Sequence, residues 1–233
     1  MASINIVLGQ SGNGKSHSIQ GLNSEETVIF NITNKRLPFK GSMGKYNKDK
    51  KNLFHITDYN QAIMMLENIS EKGSHIKVVV IDDAIYLMRN DFANALTAKG
   101  GGSSKFDLYN QIAVNFKNLM ETCEGLRDDL NIFMMFHPED VNNDESITSM
   151  KVATFGKLTD RICRPEELVD VLLVCKPRIS DDGVIEYGFY THKCYDKKTG
   201  IEIPAKTPQG MFEEDFIPNN LGYVLTKINE FYG

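Results

Sequence analysis

Nowhere in its 233 residues does the chain hold an apolar run approaching the roughly 18 residues that a membrane-spanning helix needs. A membrane-embedded protein is therefore not expected. The first residues carry no charged stretch followed by an apolar one and enter a strand-like run at once, which predicts a protein without a secretory leader. Cysteine is scarce. Cys123, Cys163, Cys175 and Cys194 stand far apart and never in a C-x-x-C spacing. That excludes a disulfide framework, argues against a cysteine metal site and predicts reduced, mostly buried thiols in the cytoplasm. Two glycosylation patterns, Asn31-Ile32-Thr33 and Asn68-Ile69-Ser70, carry no meaning without secretion. Positive charge is not in excess: 26 Lys and Arg against 31 Asp and Glu leave −5. Any nucleic-acid binding must then come from a local patch. There is no internal repeat. What is present, 41% hydrophobic and 24% charged residues, is the composition of a soluble globular protein long enough to bury a sizeable core.

The most informative stretch is Gly9-Gln10-Ser11-Gly12-Asn13-Gly14-Lys15-Ser16, which fits the phosphate-loop pattern of Gly, four free positions, then Gly-Lys-Ser. Its context fits as well. Ile4 to Leu8 is a short apolar run of strand type, and 15–22 reads as the following helix. Glycines let backbone N–H groups converge on a polyphosphate, and a helix N-terminus adds a favourable dipole. Lys15 is the point charge for the β- and γ-phosphates, and Ser16 offers a hydroxyl to Mg²⁺. Gly9 to Ser16 together with His17 form the expected ATP-binding set.

Further along, 27–32 reads as a second strand, 53–56 as a short one, and 58–71 as a helix capped by Thr57 or Asp58 and ended by Gly73. Lys77 to Asp83 is an apolar run closing in two carboxylates, a buried parallel strand by composition. A strand ending in Asp downstream of a phosphate loop is the second nucleotide motif. It assigns Asp82 to the metal beside Ser16. Helices are predicted at 84–97 and 106–126 on their 3–4 apolar spacing, with the Gly-Ser-rich 98–105 as a flexible loop between them. The strand 131–136 ends at His137-Pro138. Residues 139–149 read as a mobile loop, 152–155 as a strand and 168–175 as another buried strand. Gly183 turns a hairpin between 176–178 and 185–191, and a last helix covers 218–231.

Strands alternating with helices predict a single α/β domain over 1–233: a mostly parallel sheet with helices on both faces over about 1–176, then a hairpin and helix over 177–233. Ligands of such sheets bind beyond the carboxyl ends of the strands, where the phosphate loop, Asp82-Asp83 and His137 fall. The stretch 35–51 holds seven basic residues and one acidic, Asp49, for +6, so the rest of the chain sums to −11. A run of this kind is ordinarily a solvated face; the sign contrast makes it a candidate anion-binding loop.

On Gly9–Ser16, Asn34-Lys35-Arg36-Leu37-Pro38-Phe39, Val79–Asp83, Met135-Phe136-His137, Thr154-Phe155-Gly156-Lys157 and Thr207–Phe212, the chain resembles the phage-encoded RecA-like ATPases of single-strand annealing and homologous recombination. The resemblance implies a RecA-like P-loop core, ATP and Mg²⁺ as ligands, and a homo-oligomer working on single-stranded DNA in the host cytoplasm. The sequence departs from the pattern in two places. The segment after the second strand, Asn31-Ile32-Thr33-Asn34, lacks the usual glutamate, and the second motif ends Asp-Asp rather than Asp-Glu. Asp83 is therefore the candidate for positioning water, beside Lys15 and with His137 sensing the γ-phosphate, and hydrolysis is expected to be slow. Lys157, Arg161 and Arg164 are candidates for a charge reaching into a neighbouring subunit's site. Single-stranded DNA needs cations interleaved with aromatics, which points to Lys45, Tyr46, Lys48, Lys50 and Lys51 and to Lys99 and Lys105 with Phe106. Two other readings compete: a small-molecule P-loop kinase, with Arg161 and Arg164 on a lid, and a nucleotide-gated interaction protein that hydrolyses little.

Overall fold

The computed structural model describes residues 1–97, 105–143 and 146–233. Its strands are β1 Ser3–Leu8, β2 Thr27–Asn31, β3 Leu53–Phe54, β4 Val78–Asp82, β5 Asn131–Phe136, β6 Pro138–Asn143, β7 Ser146–Val152, β8 Val171–Cys175, β9 Arg178–Ile179, β10 Ile185–Glu186, β11 Gly188–Tyr190, β12 Cys194–Tyr195, β13 Glu202–Ile203 and β14 Phe216–Pro218. The helices are α1 Ser42–Lys45, α2 Tyr59–Lys72, α3 Ile85–Thr97, α4 Lys105–Gly125, α5 Lys157–Ile162 and α6 Leu221–Tyr232, with 3₁₀ turns at Ser16–Gly21 and Pro165–Glu167.

The fold is α/β. Eight strands form one sheet in the order β14-β11-β8-β1-β5-β4-β2-β3. The six from β8 to β3 run parallel, and β11 and β14 add antiparallel strands at one edge. Of the strands after 176, β11 and β14 thus widen the main sheet, while β9 and β10 pair as a separate hairpin and β12 and β13 join β7 and β6 in a second sheet. Alternation along the strands covers both faces. In β5, Ile132, Met134 and Phe136 point into the core beneath α2, α3 and α4, while Phe133 and Met135 point to the opposite cluster with α6.

Local chemistry sets the helix ends. Asp58 caps α2 by accepting from the Gln61 amide at 3.0 Å, and Gly73 closes it. The helix expected over 15–22 is instead a six-residue 3₁₀ turn. The Ser18 hydroxyl donates to the Lys15 carbonyl at 2.5 Å, a local bond that competes with helical pairing, and Gly21 follows. The stretch 139–149, expected as a mobile loop, forms the β6–β7 hairpin over its described residues, and the strand expected over 152–155 ends at Val152. Only Val152 of β7 is buried, so no apolar alternation marks it in the sequence. The Gly-Ser loop expected over 98–105 falls almost wholly outside the described residues, Lys99 included, as do the side chains of Lys105, Phe106 and Lys157.

Candidate functional site

Parallel strands bring their carboxyl ends to one edge, and register sets their heights. Leu8 lies opposite Phe136 and Val174, and Asn31 opposite Asp82. The residues that follow these strand ends therefore meet: 9–16, 33–36, 82–83 and 137. They enclose a cleft of about 720 Å³, lined by the phosphate loop, Ser16, His17, Lys35, Arg36, Pro38, Asp82, Asp83, His137, Tyr187 and Asn219. Its size suits a nucleotide.

The loop is held from below. Asn13 donates its side-chain amide to the Cys175 carbonyl at 3.1 Å, and the Cys175 thiol donates to the Asn13 carbonyl at 3.1 Å. Burial pushes that thiol up to about 12, so it packs rather than reacts. A Cβ on Gly9 would stand 2.5 Å from the Cys175 carbonyl, and Gly14, at φ +103°, lies against Asn219, whose amide donates to the Gly14 carbonyl at 3.0 Å. Glycine is required at both positions, by crowding at the first and by crowding and backbone angle at the second.

Lys15 is 6% exposed. Its ammonium donates to the carbonyls of Gly9 at 2.6 Å and Gln10 at 3.2 Å, and it forms no ion pair among the described residues. Burial lowers its pKa, with Asp83 and Asp82 pulling the other way. The Ser16 hydroxyl donates to Asp82 Oδ1 at 2.8 Å. These two oxygens are hard ligands meeting at one point, which fits Mg²⁺. Among the described residues no group of three or more His, Cys, Asp or Glu could hold a metal by protein alone. Magnesium on a phosphate ligand needs only one or two protein oxygens.

The two aspartates differ. Asp82 is pushed up to about 6 by burial and by the charge of Asp83, with the Ser16 hydrogen bond opposing. Asp83 is held down at about 2: burial acts to raise it, but the His137 hydrogen bond and the Lys35 charge prevail. Asp83 has φ 59°, an angle uncommon outside glycine, so one backbone step turns the neighbouring carboxylates to different partners. Asp83 Oδ1 lies 3.1 Å from His137 Nε2, while Oδ2 accepts from Thr33 Oγ1 at 3.1 Å and Lys35 Nζ at 3.4 Å.

Of the residues singled out in the sequence, Gln10, Ser11, Gly12, Gly14, Lys15, Ser16, His17, Asp82, Asp83 and His137 line the cleft, while Gly9 and Asn13 support it. Arg161 and Arg164 do not line it, and Arg164 pairs with Glu167 at 3.1 Å. The basic run divides. Lys35 and Arg36 reach the cleft, whereas Lys50 and Lys51 border a groove at the amino ends of β2, β3 and β4, beside Glu25 and His75. The run expected as one anion-binding loop is thus split between the two ends of the sheet. Leu37, Phe39 and Tyr46 are buried and pin the run down, and Tyr46, 1% exposed, is closed to base stacking. Lys45 is turned to the Gln20 carbonyl at 3.2 Å. Sequence reasoning gave no site role to Thr33, Tyr187 or Asn219, and took Lys35 as part of a charge run and of the resembling stretch Asn34–Phe39 without a role at the cleft. No family model matches the chain, and no curated protein matches it. Among the described residues no helix is long and apolar enough to cross a membrane.

Proposed function

We propose that the chain is a RecA-like P-loop ATPase of the phage recombination type, binding and slowly hydrolysing ATP with Mg²⁺ while it acts on single-stranded DNA as a homo-oligomer. Lys15 carries the reading. A buried ammonium hydrogen-bonded only to carbonyls of its own loop, with Asp82 and Asp83 acting on it only from a distance, lacks a paired counter-charge, and that is costly unless a ligand brings one. A polyphosphate in the cleft supplies it, and a glycine-rich loop of this kind lets backbone N–H groups meet its oxygens.

The roles follow from placement. Lys15 exchanges the Gly9 and Gln10 carbonyls for β- and γ-phosphate oxygens. Ser16 and Asp82 would hold Mg²⁺, which would neutralise charge on the same phosphates. Asp83, ionised at neutral pH, accepts a hydrogen bond from the attacking water, and His137 fixes the carboxylate's orientation. The water oxygen bonds to the γ-phosphorus as the bond to the bridging oxygen breaks. ADP leaves with the electron pair, and the water's protons go to phosphate and solvent. Arg36, at the edge of the cleft, supplies positive charge within the same chain. Lys157, Arg161 and Arg164 stay candidates for a neighbour's site.

Lys15→Ala tests the reading. Affinity for a fluorescent ATP analogue should fall about 100-fold, the cost of one charge-assisted phosphate contact. Unchanged affinity would refute the assignment. Phosphate release measured with and without an oligonucleotide then separates a DNA-dependent ATPase from a protein that binds ATP without turnover.

A further inference from the structure

Two pockets share one lysine. Beyond Lys35, on the side away from the phosphate loop, lies a second pocket of about 590 Å³, bordered by Thr33, Lys35, His55, Tyr86, Asn90 and Asn94. The ends of β2 and β3 and the first turns of α3 build it. Among the described residues no carboxylate lines it. Tyr86 is half-buried, and its ring has the Arg89 guanidinium 4.8 Å and the Lys35 ammonium 5.8 Å from its centroid. An aromatic ring with one cation in the pocket and a second beside it, and with neutral amides alongside, is the chemistry that holds a base and its phosphodiester.

Lys35 also closes the nucleotide cleft. With Thr33 it engages Asp83 Oδ2, while His137 engages Oδ1. A carboxylate occupied on both oxygens has little capacity left for a water. The backbone of Lys35 is fixed. Buried Asn31 accepts from its amide at 3.2 Å and donates to its carbonyl at 2.6 Å, and Asn34 turns the chain at φ 54°. Its side chain, by contrast, is 68% exposed. The ammonium can therefore move between pockets without backbone motion, and a single 3.4 Å contact from a mostly solvated ammonium is one for which a phosphate can compete.

We propose that the second pocket receives a base and phosphodiester of single-stranded DNA, and that the strand's phosphate draws Lys35 off Asp83, freeing that carboxylate to hold the attacking water. The inference rests on the ATPase reading and adds the contact through which DNA governs turnover.

The test pairs anisotropy of a fluorescein-labelled oligothymidylate with phosphate release, using the full chain. Tyr86→Leu should weaken oligonucleotide binding about tenfold, the cost of one stacked base, with affinity for a fluorescent ATP analogue retained. Arg89→Ala should weaken it too and serves if the tyrosine variant fails to fold. Lys35→Met should raise hydrolysis without oligonucleotide several-fold and bring the stimulated-to-basal ratio towards one. Wild-type oligonucleotide affinity in the Tyr86 and Arg89 variants, or a wild-type ratio in Lys35→Met, overturns the proposal. So does phosphate transfer to an added nucleoside monophosphate. Failure of the underlying reading looks different: the wild-type chain then binds no ATP analogue, and the proposal falls with it.

Discussion

Asp82 and Asp83 are adjacent in sequence and opposite in chemistry. Burial and a like charge keep the Asp82 proton to about pH 6, whereas Asp83 has His137, Lys35 and Thr33 to stabilise its ionised form down to about 2. Their effects on stability therefore carry opposite signs. A raised carboxylate favours the folded state as pH falls through 6 towards the ordinary value of 3.8, and burdens it above 6. A depressed one stabilises the fold above 3.8 and loses that as pH falls towards 2. Asp82→Asn should accordingly stabilise the ligand-free protein at pH 7.5 by on the order of 3 kcal/mol, read as a higher melting temperature, with the gain vanishing near pH 4. A gain independent of pH would contradict an origin in the buried charge. The same proton competes with Mg²⁺. Mg²⁺-dependent nucleotide binding should weaken about tenfold per pH unit below 6, and Asp82→Asn should retain only the nucleotide's own pH dependence. Titrations of Mg²⁺ at pH 5 and 7.5 read the difference.

At the scale of elements, the phosphate loop depends on α6, more than 200 residues away in the chain. Asn220 caps α6, accepting from the amides of Gly222 and Tyr223 at 2.8 and 3.2 Å, and Gly21 and Gly222 let that cap sit on the 3₁₀ turn after Lys15. A Cβ on Gly222 would meet the Gly21 carbonyl, a backbone atom that cannot step aside cheaply. Gly222→Ala should cost roughly 1–3 kcal/mol in chemical denaturation and weaken ATP binding as the turn shifts. Equal ATP affinity in that variant would show the turn to be held by β1 and β8 alone. Such long-range support is what a sequence conceals. Gly9–Ser16, Val78–Asp83 and Asn131–His137 announce themselves because each places its chemistry beside a buried strand made of consecutive apolar residues. Thr33, Lys35 and Asn219 do not, since their roles arise only when the sheet order sets the end of β2 beside β4 and returns β14 to the phosphate loop. The β6–β7 hairpin escapes for a plainer reason: mostly polar, and with Ile147 exposed, it lacks the alternation by which strands are recognised. The 3₁₀ turn reads as an α-helix because apolar spacing cannot register a serine that bonds back to the carbonyl three residues earlier.

Across the whole molecule, charge and apolar surface are both unevenly placed. Residues 35–51 carry +6 against −11 elsewhere, and the β9–β10 arm exposes Ile179, Val184 and Ile185, each more than half accessible, next to Tyr187 at the mouth of the cleft. Unlike surfaces on one chain favour head-to-tail contact, which propagates or closes into a ring rather than stopping at a dimer. Because Tyr187 links the arm to the cleft, the proposed assembly should respond to nucleotide. The mass in solution is expected to rise from that of the 26.3 kDa chain when a non-hydrolysable ATP analogue and an oligonucleotide are present together, and less with either alone. Ile185→Asp should abolish the rise while each chain still binds ATP, since Ile185 lies outside the cleft. Raised salt should weaken the assembly if charge asymmetry steers it and spare it if the apolar arm dominates. A single-chain mass under every condition, with ATP bound, would remove the oligomer from the proposal and leave the nucleotide site standing.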